Sequence, residues 1–246
     1  MADNRIFLLM SISVLMGAVL LSGCTKPEII TDNMSLNVTA TVTDASAFID
    51  AGCVKNGNWG NSGLDCSSVG LEEKFSCETI KIPSDLGGLS PNLPIVECTF
   101  ISENDSDTNQ GILREGCMRP AFRKYIIIEN GEYKLIGSKN EFVQTFAPVE
   151  SPEEALGFAI ALTTAYTNYN ITIPDGYKTF TSKIRTTYVN ESDGGFNVHL
   201  FDTQVCGCGN HPYYAVNYFV TQAGEVNGTT SEKIYENPQF AGMCVD

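Results

Sequence analysis

The segment VCGCGNHPYY, residues 205–214, holds the residues of this chain that are best suited to chemistry. Cys206 and Cys208 flank a glycine, and His211 follows three residues after the second cysteine. Thiolates and imidazoles are good ligands for zinc or copper, which makes Cys206, Cys208 and His211 a candidate metal set. A bridge between the two cysteines would be strained and easily reduced, which would suit redox chemistry. A third interpretation is that each cysteine forms a structural disulfide with a distant partner.

The complete cysteine pattern favours structural disulfides. The nine cysteines are Cys24, Cys53, Cys66, Cys77, Cys98, Cys117, Cys206, Cys208 and Cys244. Without Cys24 an even number remains, which in an exported chain is typical of a disulfide framework. Cys117 and Cys244 are available mates for the two cysteines of the segment, and a bridge to Cys244 would pin the C-terminus. Eight cysteines allow over one hundred pairings, and two on a metal would still leave an even number, so the alternatives stay open.

The other histidine does not extend the candidate metal set. It lies in FNVHLFD, residues 196–202, where Phe196, Val198 and Leu200 alternate with it. A symmetric hairpin with YYAVNYFVT, residues 213–221, places His199 opposite Asn217, roughly 13 Å of strand away from the cysteine loop. His199 and His211 are therefore not expected to share a ligand, and under the leading interpretation no cofactor is expected.

The N-terminus carries an export signal. Arg5 precedes an uncharged run from Ile6 to Gly23, as in secretory signals. The ending Leu21-Ser22-Gly23-Cys24 resembles the lipobox of prokaryotic lipoproteins. The resemblance implies a signal peptide over 1–23, a Cys24 that carries lipid such as palmitate, and a protein held on the extracytoplasmic face of the cell envelope. The alternative is an uncleaved membrane span, because the run reaches the minimum length for crossing a bilayer.

Charge excludes one class of partner. The formal net charge is −14, and the sequence shows no cluster of basic residues, so nucleic acid is not expected as a partner. For the same reason we expect the lipid alone to contact the membrane. The remaining partners would be an extracytoplasmic protein or a small molecule.

The chain divides into a tether and two parts with different patterns. Residues 24–33 lack periodicity and are predicted to be a tether. Residues 34–118 form a cysteine-rich β region, in which 35–43, 74–82 and 94–102 are the predicted strands and 51–70 is glycine-rich loop.

Residues 119–246 predict an α+β domain, with one main buried helix over about 152–167 and an antiparallel sheet. Asn130-Gly131 predicts a hairpin over 125–137. Ser138 with Glu141 is a candidate capping box, and Ser151-Pro152 starts the main helix. The predicted strands are 183–189, 196–202, 213–221 and 225–235.

The segment 152–226 resembles the helix-on-sheet modules called PepSY or cystatin-like. The resemblance is carried by Glu153-Glu154-Ala155 at the start of the helix and by a strand that ends near Gly224-Glu225-Val226. Such modules lie outside the cytoplasm and bind or inhibit other molecules. The long cysteine loop before Tyr213 departs from their pattern.

Other motifs are weaker. Asp105, Asp107 and Asn109 resemble a calcium loop, but Gly111 and Glu115 stand one position away from the required spacing, which favours a solvated acidic loop. Six Asn-x-Ser/Thr acceptors occur, at Asn33, Asn37, Asn104, Asn170, Asn190 and Asn227. No catalytic motif is recognised, so we do not expect an enzyme.

These observations predict a lipid-anchored binding or interaction protein stabilised by up to four disulfides. Its candidate binding surface is the 205–214 loop with His211, Tyr213 and Tyr214, because a loop this long between paired strands needs a reason. The alternative is a metal-binding or thiol-redox protein that uses Cys206, Cys208 and His211.

Overall fold

The computed structural model describes residues 26–31, 38, 40–57, 62–101, 111–117 and 121–245. The strands are β1 (Glu28–Ile30), β2 (Val54–Lys55), β3 (Gly63–Asp65), β4 (Thr79–Lys81), β5 (Ile95–Ile101), β6 (Leu113–Glu115), β7 (Ala121–Glu129), β8 (Glu132–Ile136), β9 (Lys178–Thr179), β10 (Lys183–Arg185), β11 (Tyr188–Ser192), β12 (Gly195–Thr203), β13 (Gly207–Cys208), β14 (Tyr213–Thr221), β15 (Val226–Glu236) and β16 (Cys244–Val245). The α-helices are α1 (Ser46–Asp50), α2 (Leu71–Phe75), α3 (Lys139–Phe146) and α4 (Pro152–Leu162). Short 3-10 turns occupy Ser67–Val69 and Pro238–Phe240.

Two large antiparallel sheets enclose the main helix, which confirms the α+β class. The first sheet has the order β2-β3-β4-β5-β7-β6, with β8 also paired to β7. The second sheet has the order β11-β12-β14-β15-β9. The largest core cluster combines residues of both sheets, such as Ile127 and Val198, with those of α3 and α4. The β5–β7 pairing joins residues on either side of the boundary predicted between 118 and 119.

Turn and capping residues fix several element boundaries as predicted. Asn130 and Gly131 have positive φ angles of 53° and 81°, as a two-residue hairpin turn between β7 and β8 requires. Ser138 and Glu141 form a complete capping box at the start of α3. Ser151 and Glu154 form a second box at α4, with Pro152 in the first turn. These boxes satisfy backbone N–H groups that each helix leaves unpaired at its start.

Helix α4 ends at Leu162, before the predicted end near 167. The chain turns at Thr163, whose backbone is extended at φ −135° and ψ 173°. Tyr166 then forms an antiparallel bridge with Phe201 through two backbone hydrogen bonds of 2.8 and 2.9 Å. Pairing with β12 therefore replaces a further helical turn.

Other local predictions were wrong. The described residues of 35–43, Val38 and 40–43, lie in no strand. The Thr41 N–H donates to Asp85 Oδ1 at 3.1 Å, and the Leu86 N–H donates to Thr43 Oγ1 at 3.0 Å, so side chains replace ladder bonds.

Within 74–82, only Thr79–Lys81 form a strand, because Leu71–Phe75 are helical. Glu72 and Glu73 stand in the first turn of that helix, where carboxylates favour its dipole. The predicted strand 183–189 is interrupted at residues 186–187, where Thr187 exchanges hydrogen bonds with Asn168.

The predicted tether contains a docked strand. Strand β1 runs parallel to β10, with Ile29 opposite Ile184. The Glu28 N–H donates to the Ser182 carbonyl at 2.9 Å, and the Thr186 N–H donates to the Ile30 carbonyl at 3.1 Å. Lys26 forms an ion pair with Asp175 at 2.6 Å. The chain is therefore held against the second half from its first described residues.

Helix α4 is buried from Glu154 to Leu162, so water does not satisfy its last carbonyl groups. Strand β7 supplies donors instead. Arg123 Nη1 donates to the carbonyls of Ile160 and Thr163 at 3.2 and 3.3 Å. Tyr125 lies beside it, with its hydroxyl 3.4 Å from the Ala161 carbonyl. Residues of the first sheet thus cap the C-terminal end of α4, and α4 itself packs on the second sheet.

The Arg123 guanidinium is also paired with two carboxylates. Its Nη2 contacts Glu115, and its Nε lies 3.5 Å from Glu97 Oε2. Burial alone would lower the pKa of Arg123, but Tyr125 and then these carboxylates hold it above its usual value. The Glu97 side chain is only 5% exposed and otherwise pairs with Lys81 at 2.9 Å. The two buried charges therefore depend on each other.

No helix within the described residues is long and apolar enough to cross a bilayer.

Replacing Arg123 should destabilise the protein strongly. Arg123→Ala removes the donor to the carbonyls of Ile160 and Thr163 and leaves Glu97 with Lys81 alone, so we expect the free energy of unfolding to fall by about 3–5 kcal/mol. Urea denaturation of the oxidised domain measures this change. Lys134→Ala is the control, because Lys134 pairs with Glu129 at an exposed site and should cost about 0–1 kcal/mol. Similar losses in the two variants would contradict this role of Arg123.

Candidate functional site

The cysteine loop connects two fully paired strands. Strands β12 and β14 pair from Gly195↔Thr221 to Thr203↔Tyr213, so the connecting segment spans residues 204–212. Within this segment, β13 pairs with β16 at the end of the chain, and the Gly209 N–H donates to the Met243 carbonyl at 2.9 Å. The loop is therefore part of a small second layer that includes the C-terminal segment.

Disulfides attach this loop to two distant segments. Cys206 is bonded to Cys117, which lies just beyond β6 in the first half. Cys208 is bonded to Cys244 in β16. The other two bridges are Cys53–Cys66 and Cys77–Cys98, both in the first half. The expected framework of four disulfides is present, and Cys206 and Cys208 take the mates that the sequence made available.

His211 fastens the loop internally. It is buried and has a positive φ angle of 46°. Its Nδ1 lies 2.9 Å from the Gln204 carbonyl oxygen, and its Nε2 lies 3.2 Å from the Met243 carbonyl oxygen. A ring nitrogen that carries hydrogen donates to the carbonyl that it faces, which ties the loop to the C-terminal segment. His211 is therefore mostly buried within the loop, where it also forms part of the lining of a shallow pocket with Gln204 and Asn210.

The structure does not assemble Cys206, Cys208 and His211 into a metal centre. Both sulfur atoms are in disulfides, so neither is a thiolate. Both imidazole nitrogens face carbonyl oxygens. Across the described residues, no group of three or more histidine, cysteine or acidic side chains is arranged to hold a metal ion.

The two tyrosines that follow the loop point to different layers. Tyr213 stacks on Tyr235 with 4.6 Å between ring centroids, beside a core cluster on the outer face of the second sheet. Tyr214 packs against the main core. Both are half-buried, so each offers only part of its ring to a partner.

A groove of about 490 Å³ opens beside the Cys117–Cys206 bridge. Its walls come from the end of β6, the segment after α4, and the chain that leaves β12. The lining side chains that matter here are Arg114, Glu115, Thr164, Tyr166, Asp202 and Val205. The disulfide thus holds together the two halves that form this groove.

Asp202 is the central acceptor of the groove. Its Oδ2 accepts a hydrogen bond from the Thr164 hydroxyl at 3.0 Å, and its Oδ1 accepts one from the Thr203 N–H at 2.7 Å. These bonds fix the orientation of the carboxylate. Each oxygen has a second lone pair, so the carboxylate retains capacity for donors of a ligand.

Tyr166 forms an amphipathic wall of the groove. Its side chain is 37% exposed, and its ring lies 6.3 Å from that of Phe201. Burial, together with nearby Tyr213 and Asp202, raises the pKa of its hydroxyl, while Thr203 offsets part of the effect. The hydroxyl therefore stays protonated near neutral pH and can donate a hydrogen bond.

His199 belongs to a separate polar network on the outer face of the second sheet. It lies opposite Asn217 in the register, as predicted, with Nδ1 2.8 Å from Asn217 Oδ1. Asn217 in turn donates to Thr230 Oγ1 at 2.6 Å. The imidazole stacks on Tyr188 at 4.7 Å between centroids. This network orders side chains along one row of the sheet.

Several predicted sites lie outside the described residues. They are Cys24, the calcium-like residues Asp105, Asp107 and Asn109, and the acceptors Asn33, Asn37 and Asn104. Glu115, which follows the calcium-like loop, pairs with Arg123. Asn170 and Asn227 are exposed, and Asn190 is half-buried.

Sequence reasoning missed Asp202, Thr164 and Tyr166. These residues are far from Arg114 and Glu115 along the chain, and no motif joins them. The one signal available was the cysteine pair 117 and 206, since a bridge between them brings these segments together.

Searches against models of protein families, against curated proteins and against solved structures return no match to this chain.

The two loop disulfides should contribute unequally to stability. Cys117–Cys206 closes a separation of 89 residues and Cys208–Cys244 one of 36. If a disulfide acts by reducing the entropy of the unfolded chain, removing either bridge lowers the free energy of unfolding by about 2–5 kcal/mol. The loss should be about 1 kcal/mol larger for the bridge that closes the longer loop. Paired Cys→Ser variants, Cys117→Ser with Cys206→Ser and Cys208→Ser with Cys244→Ser, compared by urea denaturation, measure the difference.

The matched control is peptide mapping after alkylation, which must find the other three bridges intact in each variant. A bridge between Cys206 and Cys208 in the unmodified protein would contradict the assigned pairing.

Proposed function

We propose that this protein is a lipid-anchored extracytoplasmic binding protein whose ligand surface is the groove beside the Cys117–Cys206 bridge. The anchor is the lipobox cysteine Cys24. One observation carries the binding proposal. The loop that forms one wall of the groove is held by two disulfides, by His211 and by strand β13, although every residue from 204 to 210 is exposed or half-buried.

Such reinforcement supports binding because it reduces the entropy lost on association. A loop that is already ordered does not need to be immobilised by its ligand, so more of the contact energy appears as affinity. Loops on a rigid scaffold are also where binding residues concentrate. Burial of apolar side chains does not explain why the loop is reinforced, because Val205, its apolar residue at the groove, is 56% exposed.

The chemistry of the groove favours a polar ligand that carries hydroxyl or ammonium groups. Asp202 and Glu115 supply carboxylate acceptors, Tyr166 and Thr164 supply hydroxyl groups, and the Tyr166 ring supplies an apolar face. A tyrosine ring packs against the apolar face of a ligand while its hydroxyl makes a hydrogen bond. Glu115 is already paired with Arg123, so Asp202 is the main carboxylate acceptor of the groove.

The layout of the second half supports the resemblance to PepSY or cystatin-like modules as a proposal. Helix α4 packs on β11, β12, β14 and β15 in an antiparallel meander, and such modules bind or inhibit. The metal and redox alternative needs thiols at positions 206 and 208, and in this oxidised state both cysteines are bridged elsewhere.

Binding can be tested with the mature domain, residues 25–246, on arrays of oligosaccharides and of lysine-containing peptides. We expect a hit whose affinity falls about tenfold or more in Asp202→Asn, because a hydrogen bond to a charged group contributes about 1.5–3 kcal/mol. Val205→Asp should also block it, by placing a charge on the groove wall.

The matched control is Val54→Asp, because Val54 is a similarly exposed valine (64%) in the first half and does not line the groove. Binding that Val205→Asp leaves intact, or an absence of binding on both arrays, would overturn the proposed groove.

The anchor has its own test. In a host that processes lipoproteins, the N-terminal peptide should begin at Cys24 and carry the mass of a lipid, and Cys24→Ala should abolish that modification. Mass spectrometry of the membrane fraction gives the result. An intact segment 1–23 on the membrane-bound protein would instead identify an uncleaved span.

A further inference from the structure

Strand β15 has a neighbour along nearly its whole length on one side, but only at its end on the other. It spans Val226–Glu236 and pairs with β14 on the first side. On the second side, β9 pairs only with Tyr235 and Glu236. No strand in the described part of the chain lies beside residues 226–233 on that side. We call residues 226–233 the free edge of β15.

The free edge is open to solvent. Residues 227–232 are all exposed, and the residues at either end of the free edge are half-buried. Because alternate residues of a strand turn their N–H and C=O groups to the same side, this length offers about four donors and four acceptors. Unpaired groups in this arrangement are a template for a further strand. The opposite edge strand of the same sheet, β11, has only five residues.

The sequence of the free edge does little to prevent such pairing. Sheet edges are usually protected by proline, by charged side chains or by a bulge. The free edge contains no proline, and its central residues 228–231, Gly-Thr-Thr-Ser, are small and uncharged. A register shift leaves Thr229 as an extra residue, and its hydroxyl donates to the Asn217 carbonyl at 3.0 Å. This bulge adds local twist, but residues 230–233 beyond it pair with β14 in unbroken register.

An exposed aromatic ring marks the end of the free edge. The Phe180 N–H, directly after β9, donates to the Ile234 carbonyl at 2.9 Å, so Phe180 lies beside β15. Its side chain is 41% exposed, and Lys233 Nζ lies 4.1 Å from the ring centroid. A strand added along residues 226–233 would reach this ring at its end. The edge thus combines backbone groups, which give affinity in strand addition, with a side-chain contact, which gives specificity.

The charge that remains available on the free edge is acidic. Lys233 pairs with Glu236, and Lys178 lies 3.9 Å from the same carboxylate. The other charged residues in and beside the free edge are Glu225 and Glu232, and neither forms an ion pair with a described residue. Opposite charges directly across two strands stabilise their pairing, whereas like charges weaken it. A partner strand with a lysine or arginine opposite Glu232 is therefore favoured.

The net charge disfavours a second copy of this chain as the added strand. Each copy carries a formal charge of −14, and a net charge far from zero opposes self-association. The same charge attracts a basic segment of a different protein.

We propose that the free edge of β15 binds an extended, lysine- or arginine-bearing segment of another protein, which joins the second sheet as an additional strand. The class of partner follows from the edge itself, because an extended polypeptide presents N–H and C=O groups at the spacing of a strand. The residues of the free edge do not line the groove beside Cys206. The inference therefore depends neither on the ligand of that groove nor on a lipid on Cys24.

A synthetic peptide of about eight residues, the length that pairs with the free edge, is the probe. Valine alternates in it with threonine or lysine, and both ends are blocked. We expect the mature domain, residues 25–246, to bind this probe, and hydrogen exchange of the amides at 226–233 to slow while that of β11 is unchanged. A second probe with the same side chains and N-methyl groups along its backbone should bind at least about tenfold more weakly, because it cannot donate to the edge.

The charge preference is tested with Glu232→Lys. This variant should bind the lysine probe about fivefold more weakly and should prefer a probe in which glutamate replaces lysine. The matched control is Glu191→Lys, because Glu191 is an exposed glutamate on the other edge strand, β11, and the change in net charge is the same. We expect the control to leave both affinities nearly unchanged.

Equal affinity for the N-methylated probe would overturn the proposal, because no ladder would then form. Equal effects of the two lysine variants would overturn the charge preference, since net charge alone would explain them. Protection of 226–233 without the probe, together with a dimer in sedimentation, would identify a second copy as the occupant and overturn the proposed partner. Failure to bind at millimolar probe, or slowed exchange confined to the groove around Asp202, would overturn the site; the latter result would support the groove.

Discussion

The arrangement of this protein depends on how the buried end of α4 is satisfied. The helix lies between two sheets, and its final carbonyl groups would be stranded there without donors. Thr163 donates to the Ala159 carbonyl from within the same segment, while Arg123 and Tyr125 reach the following carbonyls from β7. The guanidinium in turn neutralises Glu97 and Glu115. The Arg123 side chain therefore links β7, the end of α4 and two carboxylates. These contacts set the position of α4 relative to the first sheet.

The groove is a consequence of that connection. Glu115, which lines it, is a partner of Arg123, and Thr164 and Tyr166 follow directly after the carbonyl that Arg123 binds at Thr163. The Cys117–Cys206 bridge closes the same region from the outside. Polar contacts inside and a covalent bond outside thus hold segments from both halves in one orientation. A rigid groove between two layers is a common place for ligand sites, because neither layer alone can surround a ligand.

Features that depend on neighbouring residues were predictable from the sequence. The start of α4 follows from Ser151, Pro152 and Glu154, and the β7–β8 hairpin follows from Asn130-Gly131. Features that depend on distant partners were not. Helix α4 stops where Tyr166 meets Phe201, and β1 forms only because β10 is beside it. Helix α2 was not predicted, because its last residues belong to the stretch KFSCETIKI, residues 74–82, which alternates like a strand. The groove was not predicted either, because its walls are distant in the sequence and come together only in the folded chain.

The first and last described strands are both attached to the rest of the fold, which bears on proteolysis. Proteolysis commonly begins at frayed termini or exposed loop tips. Here the C-terminal strand β16 is covalently bonded to the loop through Cys208, and the N-terminal strand β1 is built into a sheet. Neither of these two strands is therefore free to fray independently of the fold. Cleavage within the described fold must then begin at an internal loop, and the rate at which such a loop opens sets the resistance of the fold to proteases.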